Sequence, residues 1–173
     1  EVLVVDEEKS VVTYRISESN PTGVLRPPDF NEFQRISNLK SVDLGEDGVF
    51  IIDGDDWEYE AIGLPLHGGR QLENIEYMVV QSVTNDATEN MPVSSSIILD
   101  LWKRGLNTRS GFKYGTKWRC YPADVGEGHA PWLVVDPSSD NPKNWAEACL
   151  SSRLASGVNK DWLYPIKEGE NDW

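Results

Sequence analysis

From residue 93 onward the chain switches repeatedly between helical and strand spacing, and that alternation leaves few folds open to it. Ile97, Ile98, Leu101 and Trp102 fall at helical spacing over Ser94 to Arg104, with Lys103 and Arg104 at the end and Gly105 as the closing signal. Lys117 to Tyr121 alternates and reads as a strand; Pro131 to Val135 reads as a short apolar strand. Asn141 to Ala155 reads as a helix with Pro142 near its start. Its apolar stripe is Ala146, Cys149, Leu150 and Leu154, with Trp145 at the edge and Arg153 projecting from the end. Trp162 to Ile166 reads as a buried strand, followed by an acidic turn from Lys167 to Asp172. Helix, strand, strand, helix, strand predicts an α+β domain, with a central mixed sheet flanked by helices.

Residues 1–92 read as a small mixed α/β domain preceding that one, at residues 93–173. A length of 173 residues accommodates two small domains. Val2 to Val5 and Val11 to Ile16 form a predicted hairpin, and Asn20 to Pro28 a linker. Asp29 caps a short helix through Phe33 and Ile36, with Glu32 as capping-box partner. Gly48 to Ile52 and Trp57 to Ile62 read as a second hairpin, Gly63 to Gly69 as a loop, Leu72 to Val83 as either helix or strand, and Thr84 to Pro92 as exposed. Val2 to Lys9 and Leu163 to Glu170 both run from an apolar strand into an acidic turn. Chance similarity is the simpler account of that echo; the other is a chain cut from a longer polypeptide. The start at Glu1 without Met reads as a processed chain, a piece of a longer one or a trimmed one.

Net charge separates the two regions. The chain carries 29 acids and 16 bases, a net of −13, which by itself argues against nucleic acid. Residues 1–60, however, hold 15 acids and 5 bases, whereas residues 101–123 hold no acid and six bases: Lys103, Arg104, Arg109, Lys113, Lys117 and Arg119. That segment predicts an RNA face on one side of the second domain. No apolar run is long enough to cross a bilayer as a helix. Trp118, Trp132, Trp145 and Trp162 have apolar neighbours and are assigned to the core.

Cys120 and Cys149 lack metal-ligand spacing and read as reduced thiols of an intracellular protein. Asp53, Asp55 and Asp56 are ordinary turn residues, so no metal or cofactor is expected. His67 is an ordinary loop histidine. His129 differs through its neighbourhood: Tyr121 lies eight residues before it, at the end of the basic strand, and Lys160 lies 31 after it, entering the last strand.

Three blocks then resemble the tRNA-splicing endonuclease family: Arg104 to Pro122 with its Gly-Phe-Lys-Tyr-Gly turn, His129 to Val134, and Leu150 to Lys160. They run over about residues 93–166 in the family's order. The resemblance implies cleavage of precursor tRNA at bulge–helix–bulge intron junctions without a metal, leaving a 2′,3′-cyclic phosphate and a 5′-hydroxyl. It implies Tyr121 as general base, His129 as general acid and Lys160 as electrostatic stabiliser, with Arg153 stacking on a bulged base. A tyrosine has a reference pKa of about 10, so such a base needs positive charge beside it. Tyr114 is taken as a structural residue of its turn. Asp124 and Glu127 must point away, or they repel phosphate. The resemblance also implies homo- or hetero-oligomers in which acidic loops dock into basic pockets, and a cytoplasmic or nuclear location according to source, with no membrane partner. Two other readings stay open: a non-catalytic subunit that positions RNA, and an acidic protein-interaction module.

Overall fold

The computed structural model describes residues 1–5, 7–54, 59–167 and 173. The chain opens with an antiparallel hairpin of β1 (Val2–Val5) and β2 (Val11–Tyr14), and Leu3, Val5 and Val11 face solvent. Helix α1 (Phe30–Asn38) starts where expected, because the Asp29 side chain accepts from the Glu32 backbone N–H. The other half of the predicted capping box is absent. Glu32 turns its carboxylate instead to the Arg35 guanidinium, which grips both oxygens at 3.0 and 3.1 Å.

The first four-stranded sheet is antiparallel in the order β3-β4-β6-β5, built from β3 (Ser41–Asp43), β4 (Val49–Ile52), β5 (Leu64–Leu66) and β6 (Gly69–Leu72). Two expectations fail here. Residues 59–62 do not pair with β4; they form a buried turn, while residues 55–58 of that expected hairpin lie outside the described set. Tyr59, Ala61 and Ile62 are buried without a ladder. Arg70, itself buried, donates to the carbonyls of Tyr59 and Ile62 and so replaces the strand's hydrogen bonds. Residues 63–69 are not a loop but a hairpin turning at His67-Gly68, where Gly68 takes φ +82°. The ambiguous stretch after it divides at Glu73: β6 ends at Leu72, and α2 (Asn74–Thr84) begins under a Glu73–Glu76 capping box.

Helix α3 (Val93–Lys103) matches its prediction and leads into the second sheet, ordered β10-β9-β8-β7. Its strands are β7 (Asn107–Ser110), β8 (Trp118–Tyr121), β9 (Trp132–Val134) and β10 (Asp161–Leu163). β9 and β10 are parallel and the other pairs antiparallel, so the sheet is mixed and the whole is α+β. β7 gave no signal in the sequence because Asn-Thr-Arg-Ser is polar throughout. The crossover from β9 to β10 carries α4 (Trp145–Ser156), capped by Asn144 and therefore starting later than Asn141. Its expected apolar stripe is displaced. Cys149 and Ala155 are buried, whereas Leu154 is 62% and Trp145 61% exposed. Small residues on the packed face let α4 lie close to β10. Trp145 is therefore no core residue, in contrast to Trp118, and Trp132 and Trp162 are half-buried. The last strand ends at Leu163 with Ile166 exposed; the acidic turn lies largely outside the described residues.

One apolar core runs from α1 (Phe33, Ile36) through α2 (Val79, Val80) and α3 (Ile97, Leu101, Trp102) into the second sheet at Trp118, Cys120 and Val134. A polar clamp supplements it. Arg109 on β7 donates to the carbonyls of Glu60 and Ala61, and the Glu76 carboxylate accepts from the Gly63 N–H. The linker is also built in: Gly23, Val24 and Leu25 donate to the carbonyls of Arg104, Pro122 and Gly105 at 2.9, 2.7 and 3.1 Å. Among the described residues no helix is long and apolar enough to cross a membrane.

A Cβ on Gly23 would sit 2.1 Å from the Gly105 carbonyl oxygen and 2.7 Å from that of Pro122. Gly23→Ala is therefore expected to cost about 1–3 kcal/mol, read as a lower urea midpoint. Burial also pushes the Glu76 carboxyl from its ordinary 4.5 to about 7, against the pull of the Gly63 and Glu73 N–H groups. The folded protein then holds this proton more tightly than the unfolded chain. Stability should fall as pH rises from about 4.5 to about 7, by on the order of 3 kcal/mol from this group. Denaturation at pH 5 and pH 8 checks it, with Glu76→Ala giving the flatter dependence.

Candidate active site

Strand register brings the candidate residues to one end of the second sheet. Cys120 pairs with Trp132 across β8 and β9, and Asp161 pairs with Trp132 across β9 and β10. The end of β8, the entry to β9 and the entry to β10 therefore lie in one row, and the Asp161 N–H donates to the Pro131 carbonyl at 2.8 Å. Tyr121 is the last residue of β8, Lys160 immediately precedes β10, and His129 lies on the loop entering β9.

Two adjoining cavities share His129. One, of about 120 Å³, is lined by Tyr121, Pro122, Ala123, Asp124, Glu127, Gly128 and His129. The other, of about 320 Å³, is lined by Tyr114, His129, Val158, Asn159 and Lys160. His129 is exposed and Tyr121 buried. Lys160 is only 9% exposed; its ammonium donates to the Ala130 carbonyl and lies 5.3 Å from the centre of the Tyr114 ring. Tyr114 is thus more than a residue of its turn: it forms a wall of the lysine cavity. Arg153 occupies the last turn of α4, exposed and lining neither cavity.

The surrounding charges are not those expected. Asp124 and Glu127 are among the residues that line the tyrosine cavity, and one Asp124 carboxylate oxygen is buried with no hydrogen-bond partner among the described residues. The six-base segment is not a single cationic face either. Arg104 is held by Asp100, Asn20 and the Trp173 carbonyl, Arg109 by backbone carbonyls, and Lys117 by Glu73 at 3.6 Å. Arg119 lines neither cavity but lies beside Tyr121, with its guanidinium carbon 5.7 Å from the ring centre and a buried Nε without a partner among the described residues. Sequence reasoning did not single it out, although residues 119 and 121 share one face of a strand. Cys120 points the other way into the core, where burial raises its thiol pKa and leaves it no nucleophile. Among the described residues no three His, Cys, Asp or Glu side chains converge as metal ligands.

Residues 93–173 match the family profile of the tRNA intron endonuclease catalytic C-terminal domain. Residues 93–173 are thus similar to a catalytic domain of the tRNA intron endonuclease family. Relatives extend the likeness beyond it. The tRNA-splicing endonuclease of Picrophilus torridus is 32% identical across 91% of this chain and 48% of its own length. That of Thermoplasma volcanium is 28% identical across 92% and 48%, and that of Methanopyrus kandleri 33% across 40% and 38%. The chain spans about half the length of the first two relatives. The cavities lined by Tyr121, His129 and Lys160 lie within the matched residues.

Removing the two carboxylates with Asp124→Asn and Glu127→Gln should tighten binding of a short RNA by about three- to tenfold at 0.1 M salt. A fluorescence titration reads the change, and its size should shrink as salt rises.

Proposed function

We propose that the chain carries the catalytic unit of a tRNA-splicing endonuclease, cutting precursor tRNA at intron–exon junctions of bulge–helix–bulge form. The observation that best supports this reading is the shared wall: His129 lines both the cavity of Tyr121 and that of Lys160. Tyr121 takes the proton of the ribose 2′-hydroxyl, whose oxygen attacks the adjacent phosphorus. His129 donates a proton to the departing 5′-oxygen as the P–O5′ bond breaks. The products are a 2′,3′-cyclic phosphate and a 5′-hydroxyl, and the atoms balance without water. Lys160 offsets the charge gathering on the phosphate oxygens, the role that a metal ion plays in other nucleases. Arg119 supplies the positive charge that a tyrosine base needs beside it. Arg153, free at the end of α4, stacks its flat guanidinium on a bulged base or contacts phosphate.

The partners of this unit are precursor tRNA and further endonuclease units, as copies of this chain or as different subunits, with no membrane partner. The location that fits relatives from archaeal organisms is the cytoplasm. The acid-lined tyrosine cavity favours one other reading, a subunit that positions RNA for a catalytic partner. Incubation with intron-containing precursor tRNA in EDTA separates the two. Cleavage with a cyclic-phosphate end, detected by mass spectrometry, is expected, and His129→Ala, Tyr121→Phe and Lys160→Ala should each slow it by about 100-fold or more. Unimpaired cleavage by His129→Ala would overturn the catalytic assignment.

A further inference from the structure

We propose that Phe112 is a stacking platform for one unpaired RNA base, held beside the active site by its turn. The proposal rests on the reading of the chain as an RNA-processing unit and adds a binding residue to it. Among the described residues no large apolar side chain is more exposed than Phe112, at 87%. Leaving such a ring in water forgoes the stabilisation that burial would bring. The turn that presents it is nevertheless firmly built. Gly111 donates to the Lys117 carbonyl at 2.9 Å, Tyr114 to the Gly111 carbonyl at 2.8 Å, and the Thr116 hydroxyl to the Trp118 carbonyl at 3.3 Å. A Cβ on Gly111 would meet the Thr116 hydroxyl at 2.5 Å, and Gly115 closes the turn at φ +67°.

The same turn is tied to the catalytic cavity. Tyr114, two residues on, lines it with His129 and Lys160 and lays its ring against the Lys160 ammonium. Phe112 therefore has a fixed station next to the place where a phosphate would react. Lys113 stands exposed beside it with no hydrogen bond or ion pair to any described residue, whereas Arg104, Arg109 and Lys117 are occupied within the molecule. A flat ring and a free cation on a rigid tip are what single-stranded nucleic acid recognition uses, the cation for the backbone and the ring for a base face. A protein-docking patch would need apolar neighbours. Here the turn offers Ser110, Gly111, Lys113 and Gly115 around one ring.

The test uses the 173-residue chain and a bulged RNA with 5-iodouracil in the bulge and a 2′-deoxy substitution at the cleavage position, so that binding is read without reaction. Irradiation should cross-link the RNA to the peptide containing Phe112. Phe112→Ala should weaken binding by about 5- to 100-fold, Phe112→Leu by nearly as much, and Phe112→Trp should keep wild-type affinity. Melting curves of the three variants should match the wild type, since the ring supports no core. Wild-type affinity in Phe112→Ala overturns the proposal, as does full affinity in Phe112→Leu, which would mean a merely apolar contact. A changed sedimentation of free Phe112→Ala also overturns it, by assigning the ring to a protein interface. An all-ribose RNA that binds and cross-links but is not cut would sink the catalytic reading alone. Normal cutting with no effect of Phe112→Ala would sink the stacking alone, and failure of the wild-type chain to bind RNA would sink both.

Discussion

The hydrogen bonds of β9, to β8 on one side and β10 on the other, hold the candidate site together. β9 runs antiparallel to β8 and parallel to β10, so the end of one strand and the starts of two others arrive at the same level. Residues 121, 129 and 160 are far apart in the chain, and only that pairing gathers them. The parallel step is the demanding one. It needs a crossover long enough to return the chain to the same end of the sheet, and α4 supplies it. Because α4 lies on β10 through Cys149 and Ala155, its larger apolar residues are left outside.

Charge is divided between holding the molecule together and facing the cleft. Arg70 and Arg109 are spent on backbone carbonyls of the turn at residues 59–62, a use that suits a guanidinium, with its several donors in one plane. Arg104 ties the end of α3 to Asn20 and to the last residue of the chain. Arg119 and Lys160 each lie against a tyrosine ring, and Asp124 and Glu127 line the cavity of Tyr121. A cleft holding both signs binds phosphate less tightly than an all-cationic one.

Much of residues 93–173 was legible residue by residue. α3, β8 and β9 follow from hydrophobic spacing and Gly105, and Tyr121, His129 and Lys160 line two cavities that share His129. Residues 1–92 were less so. Tyr59, Ala61 and Ile62 are apolar enough for a strand yet form a turn, because Arg70 meets the carbonyls of Tyr59 and Ile62 and Arg109 that of Ala61. β7 was invisible because its ladder needs only backbone groups and its side chains are polar. On α4 the spacing announced a helix but misplaced its buried face, since either side of the helix offered apolar residues.

The sequence by itself determined the α+β order, the helix ends and the kinds of group available at the site, because capping, glycine closure and hydrophobic period act within a few residues. Tertiary structure alone decided which of the six bases stay free, that Asp124 and Glu127 line the cavity of Tyr121, and that Tyr114 stands beside Lys160. Those outcomes depend on contacts between residues dozens of positions apart, and local spacing has no purchase on which strand a charged side chain will meet.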